Sequence, residues 1–248
     1  MNHSQGLTAV LLHGFLGSPA DWQPIVADLA GRVSCATPPL ADHPTLASLE
    51  TALCRSVPGP SILIGYSMGA RIALHLLLRH PDRYRAAVLA CGSPGLKNTA
   101  ERARRRREDA RLAARLRRLD GNKSLRRFLD DWYTQPIFAK VRSHPCYDAM
   151  LARRLKVSPD KWAATLAHLG TGALPSLWND LPRLCQPVLV LTGDLDAHYL
   201  SISSRMAEQS AAIRARLLPG SGHALLCEKP AEFATQVSIF LEEELRNK

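Results

Sequence analysis

Gly65-Tyr66-Ser67-Met68-Gly69 sets a serine between two glycines, where an apolar run (61–65) gives way to a helix-like one (68–80). A G-x-S-x-G pentapeptide in that setting marks a nucleophile elbow, a sharp strand-to-helix turn that lifts the serine Oγ above a sheet. Glycines are needed because backbone and helix approach too closely there for Cβ atoms. A serine hydroxyl does little chemistry until a histidine takes its proton and a carboxylate orients the histidine. Both types follow downstream, in the chain order Ser, acid, His. Gly193-Asp194-Leu195-Asp196 comes after the apolar run 187–192, and Gly222-His223 comes after 216–218. Asp194 and Asp196 compete for the acid role, because loops after strands are rich in Asp. Upstream, His13-Gly14-Phe15 ends the first apolar run. There the backbone N–H of Phe15 can join that of Met68 as an oxyanion hole. The plainer role for Ser67 is a helix N-cap.

The elements that must hold these side chains alternate along the chain. Strands are expected at 8–13, 33–37, 61–65, 86–91, 187–192 and 216–218, with helices at 18–29, 45–55, 68–80, about 203–212 and 231–245. Strands alternating with helices predict an α/β fold with a mostly parallel, doubly wound sheet covered on both faces. From 98 to about 174 only helical signal appears. That stretch predicts a helical cap, 96–174, inserted into a core made of 1–95 and 175–248, above the carboxyl edge of the sheet.

Composition narrows the partners. The formal net charge is +10, and thirteen Lys or Arg against four acids between Lys97 and Arg127 account for nearly all of it. An excess confined to one segment calls for a local cause. On a helix Arg102, Arg105 and Arg106 share a face that continues through Asp109, so one or two arginines are expected to reach a ligand while the others form a solvated face. The run lacks the interleaved aromatics of a nucleic-acid stacking platform, and no nucleic-acid partner is expected. No apolar run approaches the ~18 residues needed to span a bilayer. Residues 1–6 lack a basic start followed by an apolar core, so no signal peptide and no membrane association are expected. The six cysteines are scattered without C-x-x-C or zinc spacing; Cys54 and Cys91 read as small core residues, and the set fits a reducing, cytoplasmic setting. Asp194, Asp196 and His198 lack a second ligand cluster, and no metal is expected.

The architecture resembles the α/β-hydrolase superfamily over essentially the whole chain. A closer resemblance rests on GYSMGARIAL, SPGLKNTAERARRRRED and DWYTQPIFA. These are similar to stretches of the 2-succinyl-6-hydroxy-2,4-cyclohexadiene-1-carboxylate synthases of menaquinone biosynthesis. Superfamily members in general lack the PGL…ERxxRRxxD and W-Y-x-Q-P-x-F patterns. The resemblance implies a lyase that removes a ring proton from an enolpyruvyl-bearing cyclohexene and expels pyruvate, consuming no water and using no cofactor. It implies Ser67, Asp196 and His223 as the triad, with Asp196 preferred to Asp194 and with Ser67 Oγ, activated through His223, as the base. It implies Tyr66, Arg71, Arg105, Trp132 and Arg153 as substrate contacts; Arg154 adjoins Arg153, and counting from Trp132 favours Arg153. Two departures stand out: Ala70 replaces a second glycine, and Ala-Leu-Leu-Cys follows His223.

Arg71 now has a chemical reason. The implied substrate is a small polycarboxylate, and the planar guanidinium fork binds a carboxylate bidentately. An ester hydrolase with an apolar acyl pocket has no need of a cation one turn beyond its nucleophile. The competing readings are a carboxylester or thioester hydrolase using the same triad, and a non-catalytic protein of this fold that binds an anion. A monomer or small homo-oligomer is expected.

Overall fold

The computed structural model describes residues 7–57 and 59–246; residues 1–6, read above for signal-peptide character, lie outside them. In chain order come β1 (Thr8–Leu12), α1 (Gln23–Leu29), β2 (Ser34–Ala36), α2 (Leu46–Ser56), β3 (Ser61–Tyr66), α3 (Met68–Arg79) and β4 (Tyr84–Ala90). Then follow four helices without a strand: α4 (Thr99–Arg117), α5 (Gly121–Trp132), α6 (Tyr147–Arg154) and α7 (Pro159–Leu169). The alternation resumes with β5 (Val188–Gly193), α8 (Ala197–Gln209), β6 (Ile213–Leu218), α9 (Leu225–Glu228) and α10 (Pro230–Arg246). The sheet has six strands in the order β2-β1-β3-β4-β5-β6, and each neighbouring pair is parallel.

Period-2 alternation divides the core into two layers. Ala9 and Leu11 of β1 and Ile62 and Ile64 of β3 pack toward Ile25 and Leu29 of α1 and Phe233, Val237 and Phe240 of α10. Val10, Leu12 and Leu63 face the other way, onto α2 and α3. That second cluster continues without a break into Leu116, Phe128, Trp162 and Leu166 of the inserted helices. The insertion is therefore fixed to the sheet side by shared apolar packing, the dominant favourable term in folding.

Several boundaries differ from expectation, and two of the differences have a visible cause. α8 begins at Ala197 rather than near 203, because the Asp196 carboxylate accepts the Tyr199 N–H and caps it. β6 begins at Ile213, three residues early. It is an edge strand, and Arg214 and Arg216 there pair with Glu243 of α10, which hides the strand pattern in sequence. The cysteine reading also needs correction. Cys91 is buried, but Cys54 is exposed, since α2 turns Leu49 and Leu53 inward instead. Cys146 and Cys227, 81 residues apart, form a disulfide with Cα atoms 5.8 Å apart. No local spacing could reveal a pair so distant. Among the described residues no helix is long and apolar enough to cross a membrane.

Candidate active site

Ser67 sits between β3 and α3 with φ 54° and ψ −111°, a backbone conformation that costs a non-glycine residue strain. A Cβ on Gly69 would fall into the Leu12 carbonyl, and one on Gly65 would meet the Ala70 Cα at 2.5 Å. The turn can therefore be this tight only with glycine on both sides. Gly92 explains the departure at Ala70: the Ala70 methyl occupies the space that a Gly92 Cβ would need. Ser67 stands at the N-cap position of α3, yet its side chain makes no capping bond. Its Oγ lies 3.1 Å from His223 Nε2 instead.

His223 Nδ1 lies 2.9 Å from Asp196 Oδ2, and both side chains are buried. The chain Ser67–His223–Asp196 is thus assembled from the ends of β3, β5 and β6, all at the carboxyl edge of the sheet. Asp194 plays another part. Its Oδ1 accepts the Gly220 N–H at 2.8 Å and shapes the turn that leads to His223. Tyr66, Phe138 and Tyr199 surround the His223 ring at centroid distances of 5.6, 5.8 and 4.7 Å. Cys91, Asp196 and His223 form the one cluster of three metal-type donors among the described residues, within 4.8 Å of one another. Both His223 nitrogens are already engaged, and burial holds the Cys91 thiol well above its usual range and therefore protonated. The residues do not fit a metal.

The first turn is held by His13. Burial lowers its pKa to about 4, so it is neutral at pH 7. Nε2 accepts the Leu40 N–H and Nδ1 donates to the Gly14 carbonyl, which fixes the neutral tautomer and the path of the chain into Phe15. Phe15 and Met68 line the same cavity as Ser67. Met68 opens α3, where a backbone N–H has no acceptor within the helix.

That cavity, of about 170 Å³, is lined by Ser67, His223, Arg71, Arg105 and Trp132 together with Tyr199 and residues of the inserted helices. Arg71 is 5% exposed; its Nη2 donates to the Leu169 carbonyl at 3.2 Å, and its buried Nε has no partner. Burial lowers its pKa to about 10, which still leaves a full positive charge at pH 7. Arg105 is half-buried, with Nε on Asp109 Oδ1 at 2.8 Å; the buried Asp109 also accepts the Gly172 N–H. Trp132 packs edge-on to Phe15 with ring centroids 5.4 Å apart. Much of the remaining basic run is solvated, with Arg104 and Arg115 paired to Glu108 and Asp131.

Two of the expected substrate contacts are not brought into this cavity. Tyr66 stands with its ring against His223, and burial pushes its phenol pKa well up. Behind it lies a separate cavity of about 20 Å³, lined by Tyr66, Asp21, Arg153 and Arg154. Arg153 Nε donates to Asp21 Oδ1 at 3.0 Å, while the buried Arg154 donates to Asp21 Oδ2 at 2.5 Å and to the Tyr133 hydroxyl at 3.2 Å. Burial alone would raise the Asp21 pKa, but the Arg154 charge, the Ser18 N–H and the two arginine bonds outweigh it and hold the carboxyl below its usual range. Sequence pattern gives no sign of this ion cluster, because Asp21 and its arginines are separated by more than 130 residues.

Residues 9–236 match the Alpha/beta hydrolase family. The chain belongs to the α/β-hydrolase family. The chloroplastic protein PHYLLO of Arabidopsis thaliana is 29% identical over 269 residues; the match takes in 96% of this chain and spans 16% of PHYLLO's length. The 2-succinyl-6-hydroxy-2,4-cyclohexadiene-1-carboxylate synthase of Salmonella schwarzengrund is 30% identical over 233 residues, covering 90% of this chain and 88% of that enzyme. The solved structure of MenH from S. aureus superposes with a TM-score of 0.88 at 27% identity, covering 97% of this chain and 95% of that one. The parallel six-stranded sheet and the Ser67 elbow are what an α/β hydrolase requires.

Proposed function

We propose that this α/β hydrolase eliminates pyruvate from 2-succinyl-5-enolpyruvyl-6-hydroxy-3-cyclohexene-1-carboxylate to give 2-succinyl-6-hydroxy-2,4-cyclohexadiene-1-carboxylate. The observation that carries the reading is Arg71: a buried cation with an unpartnered Nε, lining the cavity that holds Ser67 Oγ. A desolvated charge without a carboxylate is costly unless an anion arrives to meet it. A polycarboxylate substrate supplies that anion, whereas a neutral ester does not. The similarity to the Salmonella synthase and to the S. aureus protein supports the same choice.

In this mechanism the Ser67 Oγ, with its proton drawn to His223 Nε2, abstracts a ring proton. The C–H electron pair forms one ring double bond, the existing ring double bond shifts by one position, the bond to the enolpyruvyl oxygen breaks, and the departing enolate takes a proton to become pyruvate. Asp196 stabilises the imidazolium that forms in between. The Phe15 and Met68 N–H groups receive developing negative charge on oxygen. Arg71 and Arg105 hold carboxylates beside the base. Tyr66, Trp132 and Arg153 complete the proposed substrate contacts, with Arg153 and Tyr66 acting from the neighbouring cavity. Residues 1–95 and 175–248 form the catalytic body in this proposal and 96–174 the cap, in a cytoplasmic enzyme.

One comparison tests it. The protein is given the enolpyruvyl cyclohexene and, in parallel, a simple activated ester, and pyruvate is measured against alcohol. Rapid pyruvate release with slow ester cleavage is expected. Ester cleavage without pyruvate would make the protein a hydrolase.

A further inference from the structure

Next to the catalytic cavity a second cleft, of about 290 Å³, opens between the segment leading into α4 and the first turns of α8. Arg105, Thr171 and Tyr199 line both spaces, so the two adjoin along these three residues. The cleft is floored by Trp178, a buried ring fixed by its Nε1 donating to the Gly95 carbonyl at 3.0 Å. Lys97 Nζ lies 5.3 Å from that ring's centroid and Arg205 Cζ 4.7 Å. Both are exposed, and neither forms an ion pair among the described residues; Glu101 is the only acid on the lining. A cation resting on an indole face is attracted by the ring quadrupole and keeps its charge available to an anion. Lys97 and Arg205 thus both meet the Trp178 ring in this cleft, and neither pairs with a carboxylate among the described residues.

We propose that this cleft is a second anion subsite, which holds the carboxylate at the end of the substrate's succinyl arm. The inference rests on the lyase reading for the identity of the arm. The proposed substrate carries three carboxylates. Arg71 offers one buried partner in the cavity, Arg105 is half-committed to Asp109, and Arg153, in the neighbouring cavity, is already tied to Asp21. The succinyl carboxylate ends a flexible chain remote from the bond that breaks, so it can extend past Arg105 and Tyr199, which line both spaces. Held there by Lys97 and Arg205, it contributes binding and orientation without touching the reacting atoms.

Free succinate serves as the probe. Titration calorimetry is run on the wild type, on Lys97→Gln/Arg205→Gln and on Arg71→Gln, with melting curves as the check on folding; the first pair is exposed and should leave the melt unchanged. Wild-type protein is expected to bind succinate, the double variant about tenfold more weakly, and Arg71→Gln with affinity retained. No binding by the wild type, equal affinity in the double variant, or loss in Arg71→Gln alone overturns the subsite. With the enolpyruvyl substrate the double variant should raise KM and spare kcat. If wild-type protein releases no pyruvate, the lyase reading falls while the succinate titration still decides the subsite.

Discussion

Arg71 donates its Nη2 to the Leu169 carbonyl, so the cation one turn beyond the nucleophile is anchored to the end of α7 and not to a carboxylate. The guanidinium thus ties the sheet side to the inserted helices while its residue lines the cavity, and its Nε has no partner. Arg71→Ala should lower kcat/KM for pyruvate release by about 30- to 1000-fold, which is about 2–4 kcal/mol for one lost partner of a desolvated charge pair. Arg71→Lys should recover little, because a single ammonium lacks the fork that reaches backbone and anion together. Arg153→Ala should cost less, since Arg153 is held by Asp21 outside the cavity. Steady-state kinetics of the three variants decide it; equal losses for Arg71→Ala and Arg153→Ala would put the anion behind Tyr66 instead.

Asp196 does two jobs with two oxygens: Oδ2 holds His223 and Oδ1 caps α8. Asp196→Asn keeps the cap but loses the charge and offers the wrong hydrogen-bond polarity to the imidazole. Turnover should fall about 10³–10⁴-fold with the melting temperature nearly unchanged. Asp196→Ala should match that rate loss and cost about a further 1 kcal/mol of stability for the lost cap. Rates and melts measured side by side separate the two roles. Ser67→Ala should abolish turnover and preserve both fold and ligand binding.

The legible parts of this site are those whose geometry is built into local residue types. Gly65 and Gly69 announce the elbow because nothing with a Cβ fits there, and strand alternation announces the parallel sheet. Arg71 is legible through its fixed offset from Ser67. The choice between Asp194 and Asp196 is not, because both follow β5; only the partner of each, Gly220 or His223, tells them apart. Arg153 and Arg154 share one short helix, and their division of labour depends on Asp21, far away in sequence. Trp178, Lys97 and Arg205 come from three separate segments, and their meeting is a tertiary event that leaves no pattern in the chain.

Two buried histidines set the acid limit of stability. Burial lowers the pKa of both His13 and His75 from 6.5 to about 4, and for His75 the charges of Arg71 and Arg79 add to it. Between those values the unfolded chain is protonated and the folded one is not, so the unfolded state binds more protons and stability falls as pH falls. Each histidine contributes up to about 1.4 kcal/mol per pH unit across that window, with no further loss below it. Urea midpoints at pH 7, 5.5 and 4.5 should decline steeply. His75→Gln should flatten the decline.

The Asp21–Arg154 pair should behave as a structural ion pair. Asp21→Ala leaves the Arg154 guanidinium buried against Tyr133 with no anion, and should destabilise the protein by about 3–5 kcal/mol. Because its carboxyl is held below the usual range, the contribution of Asp21 is fully present above the ordinary carboxylate pKa and is lost as pH falls through the lower folded value. Denaturant titrations of Asp21→Ala and wild type should therefore differ strongly at pH 7 and converge at low pH.

Cys146 precedes α6 in the inserted region, and Cys227 lies in α9, four residues after His223. Their bond closes a loop across the region that carries β5, Asp196 and β6, so breaking it frees the unfolded chain far more than the folded one. Cys146→Ser/Cys227→Ser should lower stability by about 2–4 kcal/mol. Thiol counting supplies the direct check: protein denatured without reductant should react at the four free cysteines, Cys35, Cys54, Cys91 and Cys185, and all six should react after reduction. The same count on alkylated cell lysate reports the compartment. Six reactive thiols in cells would show the pair kept open by a reducing cytoplasm, and four would show the bond formed where the protein works.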